Sequence, residues 1–332
     1  MNARILGIGH HTPERVVTNH DLAAVMETSD EWIQQRTGIR ERRFVAGDVG
    51  PADLALPAAR DALAAAGVRA GDLDLVLLAT LSPDYDCPAS AAVLQRHLGI
   101  AGMPAMDVRN QCSGFVYALA VGDAFIRSGR ARHVLVCGAE THSTGLDQTT
   151  AGREVAVIFG DGAGAVVLGP EPDPHKGILS THLHSEGRYA EKLMVEAPTS
   201  RHWPRLTEEM LDEPGSRLWP RMEGRYVFKH AVTRFPEVVR EALAANGYTP
   251  ADLDVFIPHQ ANLRISEFVA GILELPPEKV FNNIQRYGNT TAASIPIALH
   301  EACEAGLVKP GALVCLGAFG AGFTWAAALL RW

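Results

Sequence analysis

The sequence predicts an α/β fold made of two similar halves, and three observations lead to that prediction. The chain has 332 residues, more than one ordinary compact domain needs. Its composition, 47% hydrophobic and 20% charged, is typical of a globular protein with a large core. Short apolar runs alternate with helical patterns along the chain, and this alternation favours buried strands layered against helices.

The predicted elements occur twice, in the same order. Residues 60–81 read RDALAAAGVRAGDLDLVLLATL, and residues 240–261 read REALAANGYTPADLDVFIPHQA. Arg60 and Arg240 match, both segments share an Asp-Leu-Asp triplet, and equivalent residues lie 180 positions apart. Self-similarity of this kind indicates a duplicated structural unit.

A second pair of matching blocks extends the repeat. VLVCGA at 134–139 resembles LVCLGA at 313–318, at an offset of 179 positions. Each copy is predicted to contain an amphipathic helix, an Asp-rich turn, an apolar strand, a second helix and paired Gly-rich strands. We therefore expect two pseudo-symmetric α/β halves, at 1–170 and 171–332.

The segment at 186–226 lacks this regularity. Its prolines, glycines and scattered tryptophans predict an irregular insert with one short helix at 207–212. The prolines are Pro198, Pro204, Pro214 and Pro220. Long excursions of this kind either form the wall of a functional pocket or pack on themselves at the surface, and both alternatives stay open at this point.

Charge and cysteine content argue against several classes of protein. The net charge of −8 gives no support for nucleic-acid binding. The chain has no apolar run of about eighteen residues, so no membrane span is predicted, and its first residues do not resemble a signal peptide. Five cysteines are scattered without CxxC spacing, which favours reduced thiols in the cytoplasm over a disulfide framework or a zinc site.

Cys112 is the candidate nucleophile. It lies in RNQCSGF, between MPAMDV, predicted to be a buried strand, and a helical pattern that begins near Ser113. A helix start lowers the pKa of a thiol, so this position favours the reactive thiolate. Cys137 and Cys315 lie in apolar strands and Cys303 lies in a helix, so these thiols are expected to pack.

The second half supplies two candidate partners for Cys112. His259 directly follows a predicted strand, and Asn289 precedes a helix of small residues. Because the carboxyl ends of strands from both halves converge on one crevice, these side chains are expected to meet. Taken singly, each has a simpler explanation, as a buried structural histidine and a turn residue. The order Cys–His–Asn also occurs in papain-like hydrolases, but no C-G-[SA]-C-[WY] sequence surrounds Cys112.

Six sequence blocks resemble one known family. They read TSDEWIQQRTGIRERR (28–43), DVRNQCSGFVYAL (107–119), IFGDGAGAVVL (158–168), HQANLRI (259–265), GNTTAASIP (288–296) and AFGAGFTWAAAL (318–329). Over essentially its whole length the chain resembles β-ketoacyl-acyl-carrier-protein synthase III of the thiolase superfamily. The LSPD block (81–84) is more similar to secondary-metabolism relatives, including those that prime with anthraniloyl-CoA for quinolone signals. The resemblance implies a thiolase-like fold with two α/β halves forming five layers, and a homodimer with its site at the end of a tunnel.

The resemblance also implies a decarboxylative Claisen condensation. Cys112 would take an acyl group from acyl-CoA, and His259 and Asn289 would bind the thioester carbonyl of a malonyl donor as it loses carbon dioxide. Main-chain amides at Cys112 and near Ala321 would hold the oxyanions, and Phe319 would cover the sulfur. Neither a metal nor a bound cofactor is expected, because acyl-CoA is a substrate.

The family's CoA contacts match several residues of this chain. Trp32 and Arg153 match the pair that sandwiches the adenine, Arg36 would face the nucleotide phosphates, and Asn262 would contact the pantetheine arm. Around them the sequence predicts a basic cluster, which either binds phosphate or forms a solvated helix end. Its members are Arg36, Arg40, Arg42 and Arg43.

Three departures from the family pattern affect the substrate predictions. Cys87 occupies the position where many relatives carry a Phe that closes the acyl pocket across the dimer, so a primer longer than acetyl, or an aromatic one, is expected. Ala321 replaces the middle glycine of the FGGGFTWG pattern. The carrier-docking surface keeps Lys229 and Arg264 but has Gly-Ile at 271–272 instead of a lysine pair, so malonyl-CoA could replace a malonyl-carrier donor.

Two other classes stay open. An acyltransferase or thioesterase using Cys112, His259 and Asn289 would release an ester, an amide or a free acid instead of carbon dioxide and a β-keto product. A non-catalytic partner subunit of a larger synthase would need none of these three residues, and their presence argues against that class.

Overall fold

The computed structural model describes residues 1–212 and 216–332, in which two mixed sheets are covered and separated by helices. The strands are β1 (Asn2–His11), β2 (Val16–Thr18), β3 (Glu41–Arg43), β4 (Leu75–Ala79), β5 (Ala105–Val108), β6 (Val134–Glu140), β7 (Gly162–Glu171), β8 (Gly177–Ser185), β9 (Leu193–Met194), β10 (Arg221–Met222), β11 (Val255–Pro258), β12 (Leu313–Gly320) and β13 (Thr324–Arg331). The α-helices are α1 (Asn19–Ala23), α2 (Asp30–Thr37), α3 (Pro51–Ala66), α4 (Ser90–His97), α5 (Gly114–Arg127), α6 (Arg153–Ala156), α7 (Glu208–Asp212), α8 (Gly224–Ala244), α9 (Leu263–Ile272), α10 (Ile284–Tyr287) and α11 (Ser294–Glu304). None of the helices in the described ranges is long and apolar enough to cross a membrane.

The two large sheets have the same strand order. The first runs β1-β7-β6-β4-β5, with β4 parallel to β5 and β6 and with β7 antiparallel to β1 and β6. The second runs β8-β13-β12-β11, with β11 parallel to β12 and the other pairs antiparallel. An isolated parallel bridge between Phe256 and Val280 takes the place of β5 beside β11.

The molecule has five layers. Helices α3 and α4 cover the outer face of the first sheet, and α8 and α9 cover that of the second, while α5 and α11 lie between the sheets. The apolar core between the sheets takes residues from both halves of the chain. At its centre a Cβ on Gly138 would lie 2.2 Å from the carbonyl oxygen of Ala292, so only glycine permits this approach. The predicted layered α/β architecture is confirmed.

Strand register corrects the second sequence match. Leu75 of β4 pairs with Val134 of β6, and Val255 of β11 pairs with Val314 of β12. Both copies therefore follow an offset of 180, and the offset of 179 was wrong because it aligned two Gly-Ala pairs that are not equivalent. A shift of one residue would turn every side chain to the opposite face of its strand, so hydrogen-bond register decides the alignment.

Strand β5 is the edge of the first sheet and is half-buried, whereas the sequence predicted a buried strand. It pairs with β4 on one side, and no strand within the described ranges pairs with its other side. The apolar composition of MPAMDV therefore does not reflect burial within one chain.

The insert at 186–226 is irregular, as predicted. It contains a 3₁₀-helix at Gly187–Lys192, the short ladder of β9 with β10, and α7, which lies within the predicted helical range. Arg205 Nη1 lies 2.8 Å from Asp86 Oδ2, so the insert is attached to the loop between β4 and α4. Pro214 lies outside the described residues.

Candidate active site

A cavity of about 720 Å³ is lined by residues from both halves, including Cys112, His259 and Asn289. Each of these three side chains follows or precedes a core element, and each is buried, with 8%, 3% and 5% of its surface exposed. The structure thus brings the three candidate residues to one cavity. Other wall residues are Phe159, Leu193, Met222, Phe235, Ile265 and Phe319. Because Leu193 and Met222 come from the insert, that segment forms part of the wall.

Cys112 lies in a 3₁₀ turn at Gln111–Ser113 that leads into α5. The turn begins with Gln111 in the left-handed region, at φ 45°. Thr291 lies 180 residues after Gln111, which is the offset of the repeat. It begins the matching turn before α11, with φ at 48°. The nucleophile position therefore belongs to a turn that both halves contain.

Gly320, at the end of β12, lies directly against Cys112. A Cβ at this position would lie 2.4 Å from Cys112 Cβ and 2.8 Å from its Sγ. The adjacent Phe319 is 5% exposed, lines the cavity and packs on Phe323 at a centroid distance of 5.0 Å. The absence of a side chain at Gly320 is what allows the Phe319–Ala321 segment to approach the sulfur.

The expected lowering of the Cys112 pKa is wrong. Burial raises the pKa of this thiol to about 12, and the negative charge of Glu140 adds to the rise. The main-chain amides of Ala321 and Cys112 act on the sulfur in the opposite direction, but they do not outweigh the loss of water. Cys112 is therefore a neutral thiol at neutral pH.

His259 follows β11, and its main-chain N–H donates to Gly317 at 2.7 Å. Its Nδ1 lies 2.6 Å from Ser294 Oγ, which also accepts the N–H of Gln260 at 3.3 Å. Among the described residues His259 Nδ1 is the one acceptor in hydrogen-bond distance of the Ser294 hydroxyl, so we assign the hydroxyl proton to Nδ1 and the imidazole proton to Nε2. Nε2 is buried and has no partner within the described part of the chain. Burial, with a further effect of His142, lowers the pKa of His259 to about 3, so the ring is neutral.

Asn289 is held through its main chain and one side-chain atom. Gly288 precedes it at φ 63°, a conformation that favours glycine. The Asn289 N–H donates to Ile158 at 2.9 Å, its carbonyl accepts from Gly160 at 3.1 Å, and its Oδ1 accepts the Thr291 N–H at 2.9 Å. With Oδ1 occupied, the Nδ2 group is the end of the amide left for the cavity.

Two guanidinium groups lie close to the Trp32 ring at the exposed part of the cavity. Arg36 Cζ is 4.2 Å and Arg153 Cζ is 5.3 Å from the ring centroid, distances suited to cation–π contact. Trp32 and Arg36 line the cavity. Arg153 stands beside it and donates Nη1 to the carbonyl of Glu27 at 2.5 Å.

The other members of the predicted basic cluster are not alike. Arg42 is wrongly assigned to it, because its side chain is fully buried. It donates Nη1 to Asn19 Oδ1 at 2.7 Å and Nη2 to the carbonyl of Val157 at 2.6 Å. Burial lowers the pKa of Arg42 to about 10, so it keeps its charge at neutral pH. Arg42 therefore joins the segments that contain Asn19 and Val157. Arg40, in contrast, is exposed.

The proposed docking residues lie near the cavity entrance. Asn262 caps α9 by accepting the Arg264 N–H at 2.9 Å, and its Nδ2 donates to a carbonyl of α2 at 2.9 Å. Arg264 and Lys229 are exposed, and Phe228, the sequence neighbour of Lys229, meets Phe268 of α9 edge to face at 6.0 Å. This surface therefore combines two cations with an apolar pair.

Cys87 is exposed in the loop between β4 and α4 and does not line the cavity within one chain. All five cysteines are free thiols. A contribution of Cys87 to an acyl pocket would therefore have to be made to another copy of the chain.

Comparison with known proteins identifies the family. Models described as 3-oxoacyl-[acyl-carrier-protein] synthase III match residues 106–187, and their C-terminal counterpart matches residues 243–332. The chain is 51% identical over 331 residues to the β-ketoacyl-[acyl-carrier-protein] synthase III of Rhodospirillum centenum, covering 99% of this chain and 98% of that protein. The chain belongs to the β-ketoacyl-[acyl-carrier-protein] synthase III family. Its members are condensing enzymes of the acyltransferase class, and this chain is one of them.

Solved structures agree with this assignment to the synthase III family. The enzyme from Aquifex aeolicus VF5 matches with a TM-score of 0.91 and 44% identity, covering 99% of this chain and 100% of that one. The priming β-ketosynthase of the R1128 polyketide pathway matches with a TM-score of 0.90 and 33% identity, covering 99% and 96%. The thiolase-type fold expected from the sequence is confirmed.

Sequence reasoning missed four residues of this synthase III site. They are Gly320, Ser294, His142 and Glu140. His142 follows β6 as His259 follows β11, so the same signal, a histidine at the carboxyl end of a buried strand, could have found it. Glu140 is fully buried and accepts the Ser82 hydroxyl at 2.6 Å, and burial raises its pKa to about 7.

Proposed function

We propose that Cys112 carries the acyl group of a CoA-primed condensation and that His259 and Asn289 act on the malonyl donor. The observation that carries the proposal is that these three side chains line one cavity, with His259 Nε2 buried and unpartnered among the described residues. In the first half-reaction the Cys112 sulfur replaces the CoA sulfur on the acyl carbon, and the thiol proton leaves with CoA. No bound cofactor takes part in this exchange.

The second half-reaction forms the carbon–carbon bond. The malonyl thioester loses carbon dioxide, and His259 Nε2–H and Asn289 Nδ2 donate to the resulting enolate oxygen. The enolate carbon attacks the acyl group on Cys112, whose carbonyl oxygen takes up negative charge between the amides of Cys112 and Ala321. Collapse expels the Cys112 sulfur as a thiolate, which takes up one proton from water. Neutral donors suit this intermediate, and burial keeps His259 neutral.

The primer is proposed to be an acyl-CoA held by the exposed part of the cavity. Trp32 offers a flat face for a base, and Arg36 offers a guanidinium for phosphate. A base entering between Trp32 and Arg153 displaces Arg153 from Glu27. Asn262, close to Arg36, is proposed to meet the pantetheine arm.

Mass spectrometry of the intact protein tests the first half-reaction. After incubation with a panel of acyl-CoAs, the wild-type chain should gain one acyl mass and the Cys112→Ala variant should gain none. Retention of the adduct in Cys112→Ala, or no adduct with any primer, would refute the proposal. Appearance of free acid without a β-keto product would favour the thioesterase alternative.

A homodimer is proposed to complete the acyl pocket. The support is the unpaired edge of β5 within the described ranges and the exposed loop that carries Cys87, with Tyr85 54% exposed beside it. Because a Cys leaves more room than a Phe, acetyl-CoA should not be the fastest primer in the mass assay. Fastest acylation by acetyl-CoA would contradict this part of the proposal.

The protein is proposed to work in the cytoplasm, a reducing compartment, because all five of its cysteines are free thiols.

The malonyl donor is proposed to be either malonyl-CoA or a malonyl-carrier protein. Charge reversal in Lys229→Glu should raise KM for an acidic carrier and affect malonyl-CoA much less, because Lys229 is exposed and, unlike Arg264, does not line the cavity. The exposed and distant Arg69 provides the matched control, Arg69→Glu. Equal use of both donors by the wild type would show that carrier docking is dispensable.

A further inference from the structure

His142 is a buried side chain that the proposed reaction does not use. It follows β6, is 8% exposed, and its Nε2 lies 2.5 Å from Thr291 Oγ1. Because β6 belongs to the first sheet and Thr291 to the turn before α11, this hydrogen bond joins the two halves.

Thr291 connects His142 to Asn289. Its N–H donates to Asn289 Oδ1 at 2.9 Å, while its own φ of 48° is unusual for a β-branched residue. The side-chain hydrogen bond between His142 and Thr291 helps to hold this turn in place. Since Oδ1 is fixed on the side of Thr291, the Nδ2 group is directed to the cavity.

A second contact reaches Asn289 by another path. The His142 ring packs on Phe159 at a centroid distance of 4.6 Å. The main chain on either side of Phe159 holds Asn289, through the carbonyl of Ile158 and the N–H of Gly160. His142 therefore contacts both segments that determine where Asn289 lies. Burial lowers the pKa of His142 to about 4, so the ring is uncharged at neutral pH.

We propose that His142 is a positioning residue that fixes the orientation of the Asn289 amide through Thr291 and Phe159. The inference rests on the role proposed above for Asn289. Decarboxylation of the malonyl thioester uses Asn289, so loss of His142 should slow this step. Acyl transfer to Cys112 does not use Asn289, so its rate should not change.

The test separates the two half-reactions in His142→Phe. This variant keeps a ring against Phe159 and removes the hydrogen bond to Thr291. Decarboxylation should fall about 10- to 100-fold, while acylation of Cys112, followed by intact mass, should stay within about twofold. The donor is the malonyl thioester that the wild type decarboxylates faster, malonyl-CoA or malonyl-carrier protein.

Two further variants serve as controls. His142→Gln, which can again offer a hydrogen bond to Thr291, should recover part of the rate. His10→Phe removes a partly buried histidine of β1 whose Nδ1 lies 2.9 Å from Nδ1 of His300, in the C-terminal half of α11, and it should leave both half-reactions unchanged. Equal losses in both half-reactions of His142→Phe, with a lower melting temperature, would show a merely structural role and overturn the inference.

Thr291→Val tests the same contact without altering His142. It should slow decarboxylation, and the double variant should be no slower than the worse single one, since both remove one hydrogen bond. If His142→Phe does not fold, Thr291→Val alone tests the inference, and a wild-type decarboxylation rate in that variant refutes it.

Asn289→Ala separates the inference about His142 from the proposed role of Asn289. A slow Asn289→Ala with fast His142 and Thr291 variants overturns only this inference, whereas a fast Asn289→Ala overturns the role of Asn289 and the inference with it.

Discussion

At the residue scale, the role proposed for His259 depends on which ring nitrogen carries the proton, and the hydrogen bond with Ser294 determines this. The Ser294 hydroxyl meets Nδ1 at 2.6 Å, and Nε2 lies buried at the cavity. A neutral imidazole has one donor and one acceptor nitrogen, so the partner of Nδ1 decides which of these Nε2 is. An enolate needs a donor there.

Ser294→Ala should therefore slow decarboxylation by about 10- to 100-fold, because His259 loses the partner that keeps its proton on Nε2. The measurement is carbon dioxide release from the malonyl donor at saturating concentration. Ser90→Ala, which removes another fully buried serine hydroxyl, should release carbon dioxide at the wild-type rate. An unchanged rate in Ser294→Ala would show that the tautomer is set by another group.

The sequence predicted that Cys112, His259 and Asn289 would lie close together, as they do in one cavity, but it did not predict the environment of the thiol. Its position at a helix start favoured a low pKa for the Cys112 thiol, whereas burial raises that pKa. Exposure of a side chain depends on what packs over it from distant parts of the chain, here β12 and its Gly320. Arg42 was misassigned for the same reason, since neighbouring arginines in sequence do not show which one the fold buries.

At the element scale, the end of β12 and the start of α5 approach too closely for any side chain at Gly320. Repetition in the sequence predicted both elements, because a duplicated unit repeats its strands and helices. Their register was misjudged by one position, because a short Gly-Ala match carries less information than a ladder of hydrogen bonds. The sequence analysis predicted that β5 is buried, because composition alone does not distinguish a buried strand from an apolar strand at the edge of a sheet.

Gly320→Ala should lower the free energy of unfolding by about 1–3 kcal/mol and block acylation, because the new methyl group displaces the Cys112 sulfur. Urea denaturation and intact mass after acyl-CoA treatment are the measurements. Gly71→Ala is the matched control, since nothing lies within 4 Å of its added Cβ and its φ is not left-handed. Wild-type acylation in Gly320→Ala would contradict the proposed placement of this strand end.

At the scale of the whole molecule, buried ionisable groups give the stability a defined dependence on pH. Burial lowers the pKa of His259 to about 3 and that of His142 to about 4, so the folded chain leaves both uncharged where the unfolded chain takes up protons. Their contribution to stability is complete above the unfolded pKa of about 6.5 and is lost as the pH falls. Glu140 acts oppositely, because its folded pKa of about 7 means that its contribution is lost as the pH rises from about 4.5.

Between about pH 6.5 and pH 4.5 the two histidines outweigh Glu140, so stability should fall on acidification by about 1.4 kcal/mol per pH unit from these three groups. Urea denaturation at pH 6.5 and pH 5 measures this slope. His142→Phe should flatten it, and Glu140→Gln should make it steeper. A steeper slope in His142→Phe would show that His142 is charged in the folded protein.

The two matching turns, at Gln111–Ser113 and Thr291–Ala293, meet at the centre of the molecule. Two separate identical chains around a twofold axis would have to place the same residue in both turns. A single chain that contains both copies is free of this requirement, and here Cys112 in one turn corresponds to Ala292 in the other. The two halves therefore share a backbone arrangement but differ in the side chains at its centre, and the roles proposed for Cys112 and Asn289 use that difference.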